Sequence, residues 1–589
     1  MGTTATERLI ETIRNGIIGD DNAIDGPFGQ RRLTYADYTA SGRSLSFIED
    51  FIRQHVLPHY ANTHTETSGT GLQTSRFREE ARRIIHQAVG GGPDDVVIFC
   101  GSGATAAIHK LIDVLNLRVP SDLDQRYNLV ANIPVSERPV VFIGPYEHHS
   151  NELPWRESIA DLVVIAEDQD GLIDLQMLEA ELLRYAERPL KIGSFSAASN
   201  VTGIGSRTRE TAALLHRHGA LVFWDFAAAG PYVKLEMNMT DDEPEGNLVY
   251  KDAIFLSPHK FIGGPGTPGI LVAKRHLFHN RVPSMPGGGT VSYVTSSRHD
   301  YVLDIVRREE GGTPGIIESI RAGLVFQLKE SVGAEHIRTR EHDFIRRAIA
   351  TWESEPDLHV LGNRSAWRLS IVSFMITHGR RYVHHNFVVA LLNDLFGIQA
   401  RGGCSCAGPY AHRLLGIDAE GEDAFACAIH SGHGGLRPGW VRINFNYFIS
   451  EITFDYIVSA VALVARNGWK LLPLYRFDAE TGNWRHRDFR PEAVMKLSDV
   501  CYGSGRMEFR SRHATEPETS LASYLEEAHH IIARAEAEFC LPESSIEEVP
   551  MLPELEALRW FPLPSEIVAE LQGCCAPTPH FDLPIHPRA

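Results

Sequence analysis

The stretch Ile254-Phe255-Leu256-Ser257-Pro258-His259-Lys260-Phe261-Ile262-Gly263-Gly264-Pro265-Gly266-Thr267 decides how the rest of the chain is read. An apolar run ends in polar residues, then a lysine, then glycines. The run reads as a buried strand, and the glycines permit a backbone that other residues resist. A lysine where a buried strand opens into a loop suits covalent chemistry. Desolvation lowers its pKa and frees its amine to form a Schiff base. Taken alone, a surface lysine after a core strand is the simpler reading, so the flanking sequence must decide.

Upstream, strands and helices alternate. A strand at 96–99 runs into Gly101-Ser102-Gly103-Ala104-Thr105-Ala106 and a helix to about Leu117. Strand, glycine turn and helix N-terminus make an anion site, because free N–H groups and the helix dipole both favour phosphate. The letters also fit a dinucleotide fingerprint, but no second strand with a terminal acidic residue follows about 20 positions on. Further strands are expected at 140–143, 162–166, 192–196, 221–224, 252–256 and 269–273, with helices at 174–186 and 207–218. This rhythm predicts an α/β fold with a mostly parallel sheet covered on both faces. Ligands in such sheets bind beyond the carboxyl ends of the strands. His148, Asn200, Asp225 and Lys260 each follow a predicted strand end.

The net charge of -18 argues against a general affinity for nucleic acid or anionic membranes. Eight cysteines in 589 residues are sparse and suit a reduced, cytoplasmic protein. Residues 1–7 show no signal pattern, and no apolar run is read as membrane-spanning. The main boundary is placed near 310. It separates an N-terminal segment (1–35) and a large domain (36–310) from a smaller α+β domain (311–469). Residues 470–589 are an extension richer in proline and charge, with an amphipathic helix near 519–538 and no assigned chemistry.

Pyridoxal 5'-phosphate needs a lysine for its Schiff base, a carboxylate for the pyridine nitrogen, a helix N-terminus with hydroxyls for the phosphate, and a ring stacked on its own. Lys260, Asp225, the Gly103-Ala104-Thr105 turn with Ser257 and His259, and His148 supply that set. With these residues in order, the chain resembles the class V aminotransferase-like, fold-type I pyridoxal phosphate enzymes over roughly residues 34–466. Within them it is most similar to the cysteine desulfurase and selenocysteine lyase group. That resemblance implies a seven-stranded-type sheet and a smaller α+β domain. Glu147-His148-His149-Ser150-Asn151 looks like the group's His-His-Ala-Asn motif, which makes His148 the ring-stacking and acid–base histidine. Ser199-Asn200-Val201-Thr202-Gly203 resembles the segment whose asparagine meets the cofactor's phenolic oxygen. Ser257 and His259 fall on its phosphate contacts, and Asp225 on its pyridinium aspartate. Gly287-Gly288-Gly289-Thr290 resembles a loop that crosses to a partner subunit, which implies a homodimer with shared sites and a cofactor contact near Thr290.

Arg401-Gly402-Gly403-Cys404-Ser405-Cys406-Ala407-Gly408-Pro409 aligns with the group's Arg-x-Gly-x-x-Cys-Ala-x-Pro pattern. By that frame Cys406 is the nucleophile, Cys404 is an extra, and Arg442 binds the substrate carboxylate. Ala40, in a run of small residues, and His64, at the head of a polar stretch, are further candidate substrate contacts. The implied reaction is carbon–sulfur cleavage of L-cysteine or selenocysteine to L-alanine with a persulfide on Cys406, and the implied partner a sulfur-acceptor protein. Three departures stand out. Ala228 replaces an expected glutamine, the 407–441 segment is long, and the extension is additional. They leave open another class V aminotransferase, epimerase or lyase. A non-catalytic cofactor-binding sulfur carrier or assembly partner also stays open. Cys404, Cys406, Cys427, His430 and His433 match no strong zinc signature, so no metal is expected.

Overall fold

Residues 221–225, 253–256 and 269–274 are apolar but for Asp225 and Lys274 at their ends, without polar alternation. That is the pattern of strands covered on both faces. A computed structural model describes the chain except residues 1–3, 64, 66, 240–244, 491–494, 511–512, 542–545, 547–552, 574–584 and 586–589. In it these runs are central to a seven-stranded sheet. Its strands are β1 (Asp95–Cys100), β2 (Val140–Ile143), β3 (Asp161–Val164), β4 (Lys191–Ser196), β5 (Leu221–Asp225), β6 (Ala253–Leu256) and β7 (Gly269–Lys274), in the order β1-β7-β6-β5-β4-β2-β3. The β6-β5-β4-β2-β3 pairs are parallel, and β7 runs antiparallel to both β6 and β1. Asp225 and Lys260 therefore lie at or just beyond the carboxyl ends of neighbouring parallel strands.

The helix after β1 (Gly103–Val114) is almost wholly apolar on its inner face. It buries Ala104, Ala107, Ile108 and Leu111 with Ile98, Phe255 and Leu271 of the sheet. At about 1.5–3 kcal/mol per buried aliphatic side chain, this face holds the glycine turn at its start to the sheet.

The chain divides into two units, and the division differs from the expected boundary near 310. The first is Met1–Ile18, Tyr38–His342 and Ser365–Leu369; the second is Gly19–Asp37, Asp343–Arg364 and Ser370–Ala589. Residues 311–342 join the first unit because helix Ile316–Val332 packs along helix Gly69–Ala88, with Gly323 against Ala81. Residues 19–37 join the second because Thr34–Tyr35 pairs in parallel with Ile398–Gln399. Helix Gly69–Ala88 begins where the Ser68 side chain accepts from the Gly71 N–H.

In the second unit β8 (Leu358–Val360), β9 (Ile371–His378), β10 (Arg381–Tyr382), β11 (Arg401–Gly403) and β12 (Trp440–Asn444) form an antiparallel sheet in the order β8-β9-β12-β11, with β10 on β9. The extension is not a separate domain. Trp560 is fully buried and its indole N–H donates to Leu436 O at 3.0 Å. His384 stacks on Trp560 at 5.1 Å, and Gly435 N donates to Ala479 O at 2.9 Å. The extension thus clamps the turn that precedes β12. The 407–441 segment is largely helical, as Gly408–Leu415 and Ala419–His430. Contrary to the sequence reading, the helical run Glu451–Leu474 is long and apolar enough to cross a membrane, at 24 residues and mean hydropathy 1.2. Two-thirds (67%) of its apolar 18-residue window is buried inside the protein, where the run packs on helix Leu521–Phe539, so its apolarity is that of a core helix.

Candidate active site

β6 ends at Leu256, and Pro258–Lys260 turns at once into a single 3₁₀ turn closed by Lys260 N to Ser257 O at 3.0 Å. Proline at the first position of the turn pre-sets its φ. The turn is fixed from a second side. Gly42 N and Ser41 Oγ both donate to His259 O, at 2.8 and 3.2 Å. The small run containing Ala40 therefore passes beside the lysine turn.

A polar cradle lies next to it. Ser257 Oγ accepts from Ala104 N at 2.8 Å, while Gly103 holds a left-handed φ of +57° at the start of its helix. Ser102 at the N-cap makes no side-chain capping bond. Burial, then the Lys260 cation, push the His259 imidazole down to about 4, so it is neutral at pH 7. β7 closes the cradle from below. A Cβ on Gly269 would stand 1.9 Å from Gly103 O, with backbone that cannot yield. Gly269→Ala is expected to destabilise the protein by about 2–3 kcal/mol through overpacking. A lower urea midpoint, together with weaker binding of phosphate-bearing cofactor, checks it.

His148 is tied to the same cradle. Its Nδ1 accepts from Ser150 N at 3.1 Å, and Ser150 Oγ lies 3.1 Å from that nitrogen and 2.7 Å from Thr105 Oγ1. Since Nδ1 accepts a backbone N–H, the neutral ring carries its proton on Nε2. Asp225 is buried, and its Oδ1 accepts from Ala227 N at 2.7 Å. Burial raises its pKa, opposed by that N–H and by the Lys260 charge. Ala228 is buried beside it. Asn200 sits in a tight turn after β4, where Ser199 Oγ accepts from the N–H groups of Val201 and Thr202, each at 3.1 Å. Lys260, Asp225, His148, Asn200, Ser257, His259 and the Gly103–Thr105 turn thus all lie at strand ends or helix starts of one unit. Thr290 is apart from them. It is fully buried, and its hydroxyl donates to Gly287 O of its own loop at 2.7 Å. His64 lies outside the described residues.

Glu147 precedes His148 in the histidine motif, and the sequence pattern assigns it no role. It is 3% exposed and organises the site from behind. Its carboxylate accepts from Gly144 N, Ser196 N, Ser196 Oγ and Asn151 Nδ2 at 3.1, 2.9, 2.7 and 2.7 Å. Ser196 is the register partner of Asp225. Burial chiefly, and the Asp225 charge in addition, push Glu147 up to about 7 against these hydrogen bonds. A carboxyl raised in the folded state holds its proton there after the unfolded chain has lost it. Its contribution to stability therefore falls as pH rises from 4.5 to about 7. Glu147→Gln removes that titration. The wild-type midpoint, measured relative to the variant's, is expected to decline over that window and then level off, as denaturant melts at a series of pH values would show.

In the second unit, β11 leads into the cysteine segment and β12 carries Arg442. Arg401 and Arg442 are register partners, a like-charge pair that needs an anion. Asp37 provides it: Arg442 Nη2 donates to Oδ1 at 2.8 Å and Arg401 Nε to Oδ2 at 3.1 Å. Arg442 is 3% exposed, and burial lowers its pKa against the opposing pull of Asp37 and of Cys406. Cys406 is exposed and Cys404 half-buried. Ser405 and Cys406 have φ of +55° and +58°, and Ala407 N donates to Cys404 O at 3.1 Å. That is a tight turn with two non-glycine residues in the left-handed region, at about 1–2 kcal/mol each. Such strain marks ligand and catalytic segments. Sequence reading missed Asp37 because its partner lies 405 residues away.

The aminotransferase class-V family model matches residues 34–420, and the chain belongs to that family. Enzymes of this family are pyridoxal phosphate-dependent. Among curated proteins, a probable cysteine desulfurase of Halalkalibacterium halodurans is 26% identical over 397 residues, 67% of this chain and 88% of that protein. A cysteine desulfurase of Escherichia coli O7:K1 is 26% identical over 381 residues, 64% of this chain and 85% of that protein. Among solved structures, the apo cysteine desulfurase from Thermococcus onnurineus NA1 covers 79% of this chain and 100% of its own with a TM-score of 0.61 at 20% identity. The cysteine desulfurase CsdA from Escherichia coli covers 78% and 99% with a TM-score of 0.57 at 18% identity. These structural likenesses support the fold expected from the sequence.

Proposed function

We propose that the chain is a pyridoxal phosphate-dependent cysteine desulfurase that converts L-cysteine (or selenocysteine) to L-alanine and leaves the sulfur as a persulfide on Cys406. The observation that carries the cofactor half is the buried Asp225 carboxyl in the field of Lys260, in the same unit as a neutral polar cradle at a helix start. These residues fit the group. The Ser257 hydroxyl, His259 and the first amides of helix Gly103–Val114 suit a phosphate. Burial leaves Asp225 favouring any cation against it, as a protonated pyridine nitrogen would be. Bound there, the cofactor supplies an electron sink for the α-carbon of an amino acid.

The chain's own residues supply the rest. The Lys260 amine would hold the cofactor covalently and then carry the α-proton. Asp225 would keep a proton on the ring nitrogen. His148, its Nδ1 fixed by Ser150, would offer Nε2–H for proton exchange. Asn200 would donate to the cofactor's phenolic oxygen. Arg442, oriented by Asp37, grips the substrate carboxylate; Ala40 and His64 stay candidate substrate contacts on the sequence resemblance alone. The Cys406 thiolate bonds to the substrate sulfur as the carbon–sulfur bond breaks, and the carbon fragment takes up a proton to become alanine. The curated relatives named above as cysteine desulfurases support this reaction.

Alanine and an equimolar amount of sulfur, held as persulfide on the protein or released as sulfide, are the expected products after addition of L-cysteine. Turnover of other amino acids with none of cysteine would contradict the reading and favour another class V reaction, for which Ala228 in place of glutamine is the motivating feature. We also infer a homodimer, a sulfur-acceptor protein as partner and a cytoplasmic setting. The exposed apolar Met285, Tyr293 and Val294 around the Gly287–Thr290 loop support the first, and the free thiols of the cysteines among the described residues support the last.

A further inference from the structure

We propose that Cys404 is a resolving thiol. It attacks the persulfide on Cys406, expels hydrosulfide and leaves a Cys404–Cys406 disulfide. This rests on the reading of Cys406 as the persulfide carrier. It concerns a residue that the cysteine desulfurase pattern does not require.

The backbone carries the argument. In an extended strand, residues i and i+2 stand about 6.6 Å apart at Cα, at the far edge of the roughly 4.4–6.8 Å range that a disulfide spans. The chain leaves β11 at Gly403 and turns left-handed at Ser405 and Cys406, closed by Ala407 N to Cys404 O at 3.1 Å. A helical backbone of either hand brings i and i+2 to about 5.4 Å, near the commonest disulfide spacing. Neither Ser405 nor Cys406 is a glycine, so this turn is held against its own strain. The strain places two thiols, one half-buried and one exposed, on the same four-residue loop.

The step balances. A bond forms between the two cysteine Sγ atoms, and the bond from Cys406 Sγ to the sulfane sulfur breaks. The electron pair leaves with hydrosulfide, and the Cys404 proton passes to solvent. The sulfane sulfur is reduced to sulfide, and the two cysteine sulfurs are oxidised to the disulfide. A dithiol reductant, supplied as a small molecule or a protein, then restores both thiols. The enzyme can in this way release sulfide without a protein acceptor.

The test uses the full holo-chain without reductant, in two arms. One arm receives limiting L-cysteine; the other receives inorganic polysulfide, which loads Cys406 independently of the cofactor. Trypsin excises both thiols in a single peptide, residues 402–413. In wild type this peptide should become lighter than its reduced form by two hydrogens, as sulfide appears in solution. In Cys404→Ser it should stay heavier by one sulfur atom, with a persulfide lifetime longer by about tenfold or more. The proposal is overturned if, in the polysulfide arm, wild type keeps its persulfide as long as Cys404→Ser does. If only the cysteine arm yields no sulfur transfer, the desulfurase reading fails, while the polysulfide arm still decides the role of Cys404.

Discussion

Lys260→Ala is expected to lower alanine formation from L-cysteine by about a thousandfold or more, about 4 kcal/mol of barrier. Two functions are lost at once: the covalent hold on the cofactor and the base for the α-proton. The substitution should leave the fold intact. Lys260 closes its turn with its backbone, Lys260 N to Ser257 O at 3.0 Å, and the apolar β6 beneath it is unchanged. The readout is twofold. Borohydride should fix pyridoxal phosphate covalently to the wild type and not to Lys260→Ala, while both proteins retain the same denaturation midpoint. A variant that still traps the cofactor on protein would move the covalent residue elsewhere.

Cys406→Ala has the second largest expected effect, a loss of about a hundredfold or more in alanine formed from cysteine, with borohydride-trapped cofactor unchanged. The two substitutions thus separate the cofactor's chemistry from sulfur transfer. Removing the side chain at 406 leaves the left-handed φ of +58° in place. Stability should therefore change little, and a drop in activity cannot be assigned to unfolding of the loop.

Much of the fold is legible in local patterns. The buried strands read as short apolar runs, and residues at their carboxyl ends fall where α/β sheets hold ligands. What escaped depends on distant pairings. Glu147 reads as a charged surface residue until Ser196, 49 residues on, is seen to surround its carboxylate. Asp37 gains meaning only beside Arg401 and Arg442. The first unit extends past 310 because helix Ile316–Val332 turns back on it, which no local signal marks. The length of the 407–441 segment stands out in sequence, and its helix signals are local: Pro409 opens a helix and Gly416, at a φ of +65°, closes it. The extension carried no chemistry in sequence, and its structural part is a clamp. Trp560 and Ala479 fasten the turn before β12, which carries Arg442.

The most direct measurement of the central claim is mass analysis of the 402–413 peptide from holo-protein mixed with sulfur-labelled L-cysteine, taken beside alanine counted in the same sample. The account predicts one labelled sulfur per first-turnover alanine. That label is found either on Cys406, in Cys404→Ser, or released as sulfide, in wild type. Alanine formed at the wild-type rate by Cys406→Ala, or sulfur carried on a different peptide, would contradict it.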